Sequence, residues 1–222
     1  MRIVGLLIAG CFIFWLFPQI DLWFSSLFFK NGIFFLKDQY MLHIIYKATM
    51  ILITLFTLAI FMLFVIELLF KKEWISKKIL VYLLLVLLIG PGLIVNVVFK
   101  NHFGRARPSQ IEQFGGTKKF TPALQIADQC KKNCSFSSGH AAAAFYFLAL
   151  IPLFRGRKRK IIAALAIIWG SVVGLVRIAQ GGHFLSDVYC SAVVVYFVSI
   201  IVYYLLFERK QHETFGGHTG YE

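Results

Sequence analysis

Negative charge is what this 222-residue chain has least of: ten Asp and Glu stand against 23 Lys and Arg, for a formal net charge of +13. Such an excess is common in nucleic-acid binders. Here, however, the cations fall in short clusters between apolar runs, the pattern that encodes membrane topology, so no nucleic-acid partner is expected. No cluster of Cys, His or carboxylates has the spacing of a metal site, and no metal or other cofactor is expected. Internal repeats and low-complexity tracts are absent too. The first apolar run lacks a small-x-small cleavage pattern after it, since Phe17-Pro18-Gln19-Ile20-Asp21 follows, so it reads as a retained helix rather than a signal peptide.

What the chain has in excess is apolar surface. Hydrophobic residues make up 59% of it, where a soluble domain has roughly 45 to 50%, and the mean hydropathy is +0.76. The expected fold is all-α: one polytopic membrane domain, residues 1–222, with six transmembrane helices in a bundle. The spans expected are residues 3–17, 48–70, 79–99, 141–154, 161–176 and 188–207, the first short of the ~20 residues a crossing needs and the fourth of adequate length only if its first turn begins near Phe136. Residues 18–47 mix aromatics with scattered charge and read either as an interfacial segment or as an aromatic loop. Gly90-Pro91-Gly92 should kink the third span. Residues 101–136 are rich in Gly and Pro and read as an extramembrane loop; residues 208–222 form a polar tail.

The turns at 71–78 and 155–160 carry four and five Lys or Arg, and short basic loops stay cytoplasmic. Both termini then lie inside, helices three and five run outward, and four and six run inward. The consequence is that Lys100, His140, Arg177 and His183 should meet at one outer face. Ionisable residues at a membrane boundary are costly and mark function.

Each of the three clusters has a chemistry. Lys100, Arg105 and Arg107 concentrate cations as a phosphate site does, or as a basic patch on anionic headgroups does. Ser137-Ser138-Gly139-His140 precedes an alanine run, so Ser138 can cap a helix whose free amides hold an anion, with His140 at its edge to give a proton. Arg177 adds another cation. His183 and Asp187 stand one helical turn apart, so the carboxylate can orient the ring and leave its other nitrogen as nucleophile. Gly181 and Gly182 would let the backbone turn His183 into the pocket. Cys11 and Cys190, in apolar runs, read as buried small residues.

Lys100 with Arg107-Pro108, Ser138-Gly139-His140, and Arg177 with His183 and Asp187 together resemble the three motifs of the type 2 phosphatidic acid phosphatase superfamily, KxxxxxxRP, PSGH and SRxxxxxHxxxD. The resemblance spans about residues 80–207. Ser137 stands where the pattern has proline and Val176 where it has serine, which bears on rate or substrate preference rather than reaction class. The resemblance implies a metal-independent phosphomonoesterase. In it His183 is the nucleophile, Asp187 its orienter and His140 the general acid, while Lys100, Arg107, Ser138, Gly139 and Arg177 bind phosphate.

Gly90-Pro91-Gly92-Leu93-Ile94-Val95-Asn96, Glu112-Gln113-Phe114, Asn133-Cys134-Ser135-Phe136 and Gln180-Gly181-Gly182-His183-Phe184 are similar to the lipid A 4'-phosphatase branch. That branch implies a bacterial inner membrane, a periplasmic active site and a lipid A phosphate as substrate, the 4' position favoured; no obligate protein partner is expected. Arg105, Lys118, Lys119, Lys131 and Lys132 would suit an anionic headgroup. The same compartment favours a Cys130–Cys134 disulfide, with a free pair left open by the spacing alone. Other readings also stay open. Phosphatidylglycerophosphate, undecaprenyl pyrophosphate or the lipid A 1-phosphate are alternative substrates, phosphoryl transfer to a lipid alcohol is an alternative reaction, and non-hydrolytic binding of anionic lipid lies outside the enzyme class.

Overall fold

The computed structural model describes residues 2–70 and 74–208; Lys71, Lys72 and the tail beyond residue 208 lie outside them. The regular elements of the described residues are helices apart from one hairpin, β1 (Phe29–Lys30) against β2 (Ile33–Phe34). The helices are α1 (Arg2–Leu16), α2 (Gln19–Ser26), α3 (Tyr40–Phe70), α4 (Lys77–His102), α5 (Gly139–Leu153), α6 (Gly156–Ala179) and α7 (Leu185–Glu208). Among the described residues, α3, α4, α6 and α7 are long and apolar enough to cross a membrane. Counting α1 and α2 as one span bent by 83° makes five. The fourth expected span corresponds to α5, which by residue count falls short of a crossing.

Three prolines explain where the helices depart from regularity. Pro18 cannot continue α1, so the chain breaks there and α2 leaves at a steep angle. Pro91 lies in the first turn of a wide, π-helical stretch, Leu88–Phe99, within α4. Its ring would clash with a carbonyl one turn back in an α-helix, and the wider turn gives it room. Asn96 then donates from Nδ2 to the Pro91 carbonyl at 2.8 Å.

Pro152 sits in the 3-10 half of α5, Tyr146–Leu153. Lacking an amide, it leaves the Ala149 carbonyl without its intrahelical donor. Tyr82 of α4 supplies one instead, its hydroxyl donating to Ala149 O at 2.7 Å, while Tyr146 donates back to Leu83 O at 2.8 Å. These two phenols lock α4 to α5 inside the main apolar cluster, with Val86, Ala143, Val198 and Val202 around them.

The second span begins earlier than expected, at Tyr40 rather than residue 48, because Lys47 interrupts the apolar run without interrupting the helix. At the far end of α3, buried Glu67 accepts from the Ile75 amide at 2.8 Å and closes the turn into α4. The segment 18–47 resolves into α2, the hairpin and the start of α3. Phe34 on the hairpin packs with Ala106, Ile111, Phe114 and Phe184. The aromatic stretch therefore covers the loop between α4 and α5 rather than standing apart from it.

Candidate active site

Backbone hydrogen bonds staple together the three clusters expected to meet. Residues 133–135 run beside the end of α4, with Cys134 N bonded to Lys100 O at 3.3 Å and Ser135 N to Arg105 O at 2.9 Å. Ser109 N reaches Gly181 O at 3.0 Å, and Ser138 N reaches Asp187 O at 3.3 Å. Ser191 of α7 donates to the carbonyls of both Ser138 and Asp187. The ends of α4, α5, α6 and α7 are thus one construction.

Ser138 caps α5, its hydroxyl accepting from Ala141 N. Gly139 has no room for a side chain: a Cβ would stand 2.5 Å from Asn96 Oδ1 and 3.1 Å from Lys100 Nζ, so this glycine lets the ammonium approach the start of the helix. Gly181 has φ +66°, a conformation that glycine adopts freely, and a Cβ on Gly182 would press on the Arg177 guanidinium at 2.5 Å. The turn between α6 and α7 therefore needs both glycines.

Lys100 Nζ and Arg107 Nη2 are brought together on Asn133, donating to its side-chain oxygen at 3.2 Å and its carbonyl at 3.0 Å. Arg177 lies over the Tyr46 ring, 4.8 Å from its centroid, and bonds Gln180. The other contact of Tyr46 is His140, whose ring stacks on it at 4.1 Å. His140, His183, Lys100, Arg107 and Arg177 are all within electrostatic reach of one another's charge. Two buried nitrogens in this group have no hydrogen-bond partner, His140 Nε2 and Arg177 Nε. Buried polar atoms are rarely left so. A ligand with several acceptor oxygens would satisfy both.

His183 is 1% exposed. Its Nδ1 lies 2.8 Å from the Ser135 carbonyl and 3.7 Å from Asp187 Oδ2. The nearer acceptor fixes the tautomer: Nδ1 carries the proton and donates to Ser135 O, and Nε2 keeps its lone pair. Asp187 lies beyond hydrogen-bond range of the ring and acts through its charge and by holding Ser135, whose hydroxyl donates to Oδ2 at 2.5 Å. Burial pushes the His183 imidazole down to about 4; the Asp187 carboxylate works against that, and Arg177 and Arg107 add to it. The ring is neutral and unprotonated at Nε2 across the physiological range.

Arg105 departs from expectation. It is not a headgroup cation of the loop but a buried one, donating from Nη1 to Asp187 Oδ1 at 2.6 Å and from Nη2 to Asp21 Oδ2 at 2.7 Å. Burial works against its charge, but Asp187 and Asp21 outweigh burial and hold its pKa above the ordinary value. Lys118, Lys119, Lys131 and Lys132 do lie exposed on the loop. Cys130 and Cys134 are joined in a disulfide that brackets Asn133.

The family profile of the PAP2 superfamily matches residues 79–211, more than half of the chain and all three clusters. The chain belongs to this superfamily. Among curated relatives, one from Francisella tularensis subsp. novicida (strain U112), named lipid A 4'-phosphatase, is 37% identical over 95% of this chain and 97% of its own length. Proteins of the same name from Rhizobium leguminosarum and Rhizobium etli are each 39% identical over 57% of this chain. The match covers 54% and 49% of their lengths. No solved structure matches.

Four residues around the PAP2 motifs were given no role by the sequence: Asp21, Tyr46, and Asn133 and Ser135, the last two noted only within a stretch similar to the lipid A 4'-phosphatase branch. Asp21 and Tyr46 come from the part of the chain that precedes the family match, and a lone Asp among aromatics or a Tyr beside Lys47 has no spacing to flag it. Asn133 and Ser135 flank a cysteine and act through backbone as much as side chain. Of the two departures from the motifs, Val176 is buried, and Ser137 has a buried hydroxyl without a partner.

Proposed function

We propose that this protein is a lipid phosphatase of the PAP2 type that hydrolyses a phosphomonoester at the outer face of a bacterial inner membrane, through a phosphohistidine. The observation that carries it is a neutral histidine nucleophile, an unpartnered second histidine and three cations at the common end of four helices. Lys100, Arg107 and Arg177 hold the phosphoryl oxygens, with the amides at Ser138 and Gly139. His183 Nε2 forms a bond to phosphorus as the ester P–O bond breaks, and the departing oxygen takes a proton from His140. Water then attacks phosphorus, the P–N bond breaks, the water proton returns to His140, and inorganic phosphate leaves. Positioning and charge neutralisation are most of what phosphoryl transfer asks of a protein, and no step here calls for a metal.

The 4'-phosphate of lipid A is the substrate we favour, on the strength of a relative of that name that aligns with nearly the whole chain. The six-span arrangement belongs to the same proposal. The 3-10 half of α5 rises about 2.0 Å per residue against 1.5 Å for α-helix. The helix thereby reaches roughly 26 Å, close to the ~30 Å hydrocarbon core. Purified protein incubated with lipid A should release inorganic phosphate, and mass spectrometry should place the loss at the 4' position. His183→Ala should lose on the order of a thousandfold or more of that rate while melting as a folded protein. Full activity in His183→Ala would remove the phosphohistidine mechanism. Loss of phosphate from a different lipid would move the substrate and leave the chemistry standing.

A further inference from the structure

We propose that Asp21 of α2 and Arg105 of the loop after α4 are positioning residues for His183, acting on it through Asp187 and Ser186; this rests on the phosphatase reading above. Neither residue belongs to the three motifs. Arg105 uses its whole fork. Nη1 donates to Asp187 Oδ1 and, at 2.8 Å, to Ser186 Oγ; Nη2 donates to Asp21; and Nε donates to the Thr121 carbonyl at 2.9 Å. The guanidinium plane rests on Phe184, 4.2 Å from its ring centroid, with Phe120 at 5.6 Å. An Arg so held has one position, and it fixes one oxygen of Asp187.

The other oxygen of Asp187 is then free to take the Ser135 hydroxyl and the Phe184 amide at 2.8 Å. Ser135 in turn offers its carbonyl to His183 Nδ1. A continuous chain of bonds runs from Asp21 to the ring. Asp21 adds a second tie, accepting from the Ser186 amide at 2.8 Å and from its hydroxyl at 2.5 Å. The Ser186 amide, one of the first of α7 that lack intrahelical partners, is thereby satisfied by a carboxylate from another helix.

The charges explain why two carboxylates are present. With both carboxylates ionised, one guanidinium offsets one of them, and Asp21, Arg105 and Asp187 together leave one negative charge beside His183. When Nε2 bonds to phosphorus while Nδ1 keeps its proton, the ring becomes cationic. The residual negative charge then matches it, in a site where little water competes. Arg105 in the position of a bidentate anchor is also not replaceable by Lys without loss, since an ammonium cannot span both carboxylates.

The test uses full-length protein in detergent with a lipid phosphate substrate, comparing kcat, KM and inhibition by inorganic phosphate. Asp21→Asn keeps the shape and removes the charge. Its kcat should fall by about ten- to a hundredfold, with KM and phosphate inhibition within about threefold of wild type. Arg105→Lys should keep more of kcat than Arg105→Gln. Arg107→Gln, which removes a phosphate ligand, should instead raise KM and weaken phosphate inhibition.

A folded Asp21→Asn with wild-type kcat overturns the inference, and so does one that copies the KM defect of Arg107→Gln. If Asp21→Asn does not fold, Ser186→Ala decides. It cuts the hydroxyl link between Asp21 and Arg105 with both charges kept, and a fall in kcat alone supports the inference, whereas unchanged kcat overturns it. Wild-type protein that releases no phosphate from any lipid phosphate fails the phosphatase reading itself, and this inference with it.

Discussion

Burial, more than any partner, sets the state of His183, and this makes two behaviours at the residue scale predictable. In the unfolded chain its imidazole titrates near the ordinary 6.5; in the fold it is pushed down to about 4. Between those values the unfolded chain binds a proton that the folded one refuses. The stability tied to a neutral His183 is therefore fully present above pH 6.5 and is lost as pH falls through about 4, on the order of 3 kcal/mol in all. Thermal melts of wild type and His183→Gln across that window should converge as the pH falls, because only the wild type has this proton to gain. A constant gap would place the acid sensitivity elsewhere. His140 has a different task, and a different test separates it from a binding role. His140→Gln should slow release from a lipid phosphate on the order of a hundred- to ten-thousandfold. With an aryl phosphate, whose phenolate leaves without a proton, the loss should be under about tenfold. Equal losses on both substrates would make His140 a binding residue, not an acid.

At the scale of elements, the contact of α5 with α6 is exposed to a small change. A Cβ on Gly170 would meet the Phe145 ring at 2.2 to 2.6 Å, so the ring or the helix must shift. Gly170→Ala should cost about 1 to 3 kcal/mol by overpacking, read as a lowered melting midpoint, and Phe145→Leu in the same chain should recover part of it. Apolar length bounded by cations made α3, α4, α6 and α7 legible in the sequence, and the proline rule anticipated both the irregular stretch in α4 and the end of α1. The hairpin and α2 were not legible. Phe28, Phe29, Phe34 and Phe35 alternate with no period that separates strand from interfacial loop, and their partners, Phe114 and Phe184, are distant in sequence. The motif residues of the site could be read because helix ends carry them at fixed spacings. Asp21 and Tyr46 could not, because their meaning comes entirely from what they touch. The pairing of His183 with Asp187, at 3.7 Å, was legible, but the nearest partner of the ring was not, for the same reason. One helical turn of spacing brings a carboxylate near, but it cannot say that a backbone carbonyl from residue 135 comes nearer.

For the whole molecule, the distribution of charge and the position of the site make a single claim about the membrane. Residues 155–160, the junction of α5 with α6 and the first turn of α6, carry five Lys or Arg in six residues, and such a basic junction resists translocation. The site lies at the opposite ends of those helices, with His140 at the start of α5 and Arg177 at the end of α6. If α5 crosses, the loop at 101–136 is outside, in a compartment where the Cys130–Cys134 disulfide persists. An epitope inserted at Gly115-Gly116 in the full-length chain should then be reached by antibody in spheroplasts with an intact inner membrane. One inserted at Arg155-Gly156 should be reached only after the membrane is permeabilised. The two positions are separated by α5 alone among the long helices, so the pair of tags asks whether that helix spans. If both tags are reached from the same side, α5 is re-entrant, the count of spans falls to five, and the two termini of the chain lie on opposite faces. The side chains of the candidate site would still meet, since backbone bonds and not topology join Ser135 to Arg105 and Ser138 to Asp187. What would change is the leaflet from which the lipid phosphate enters.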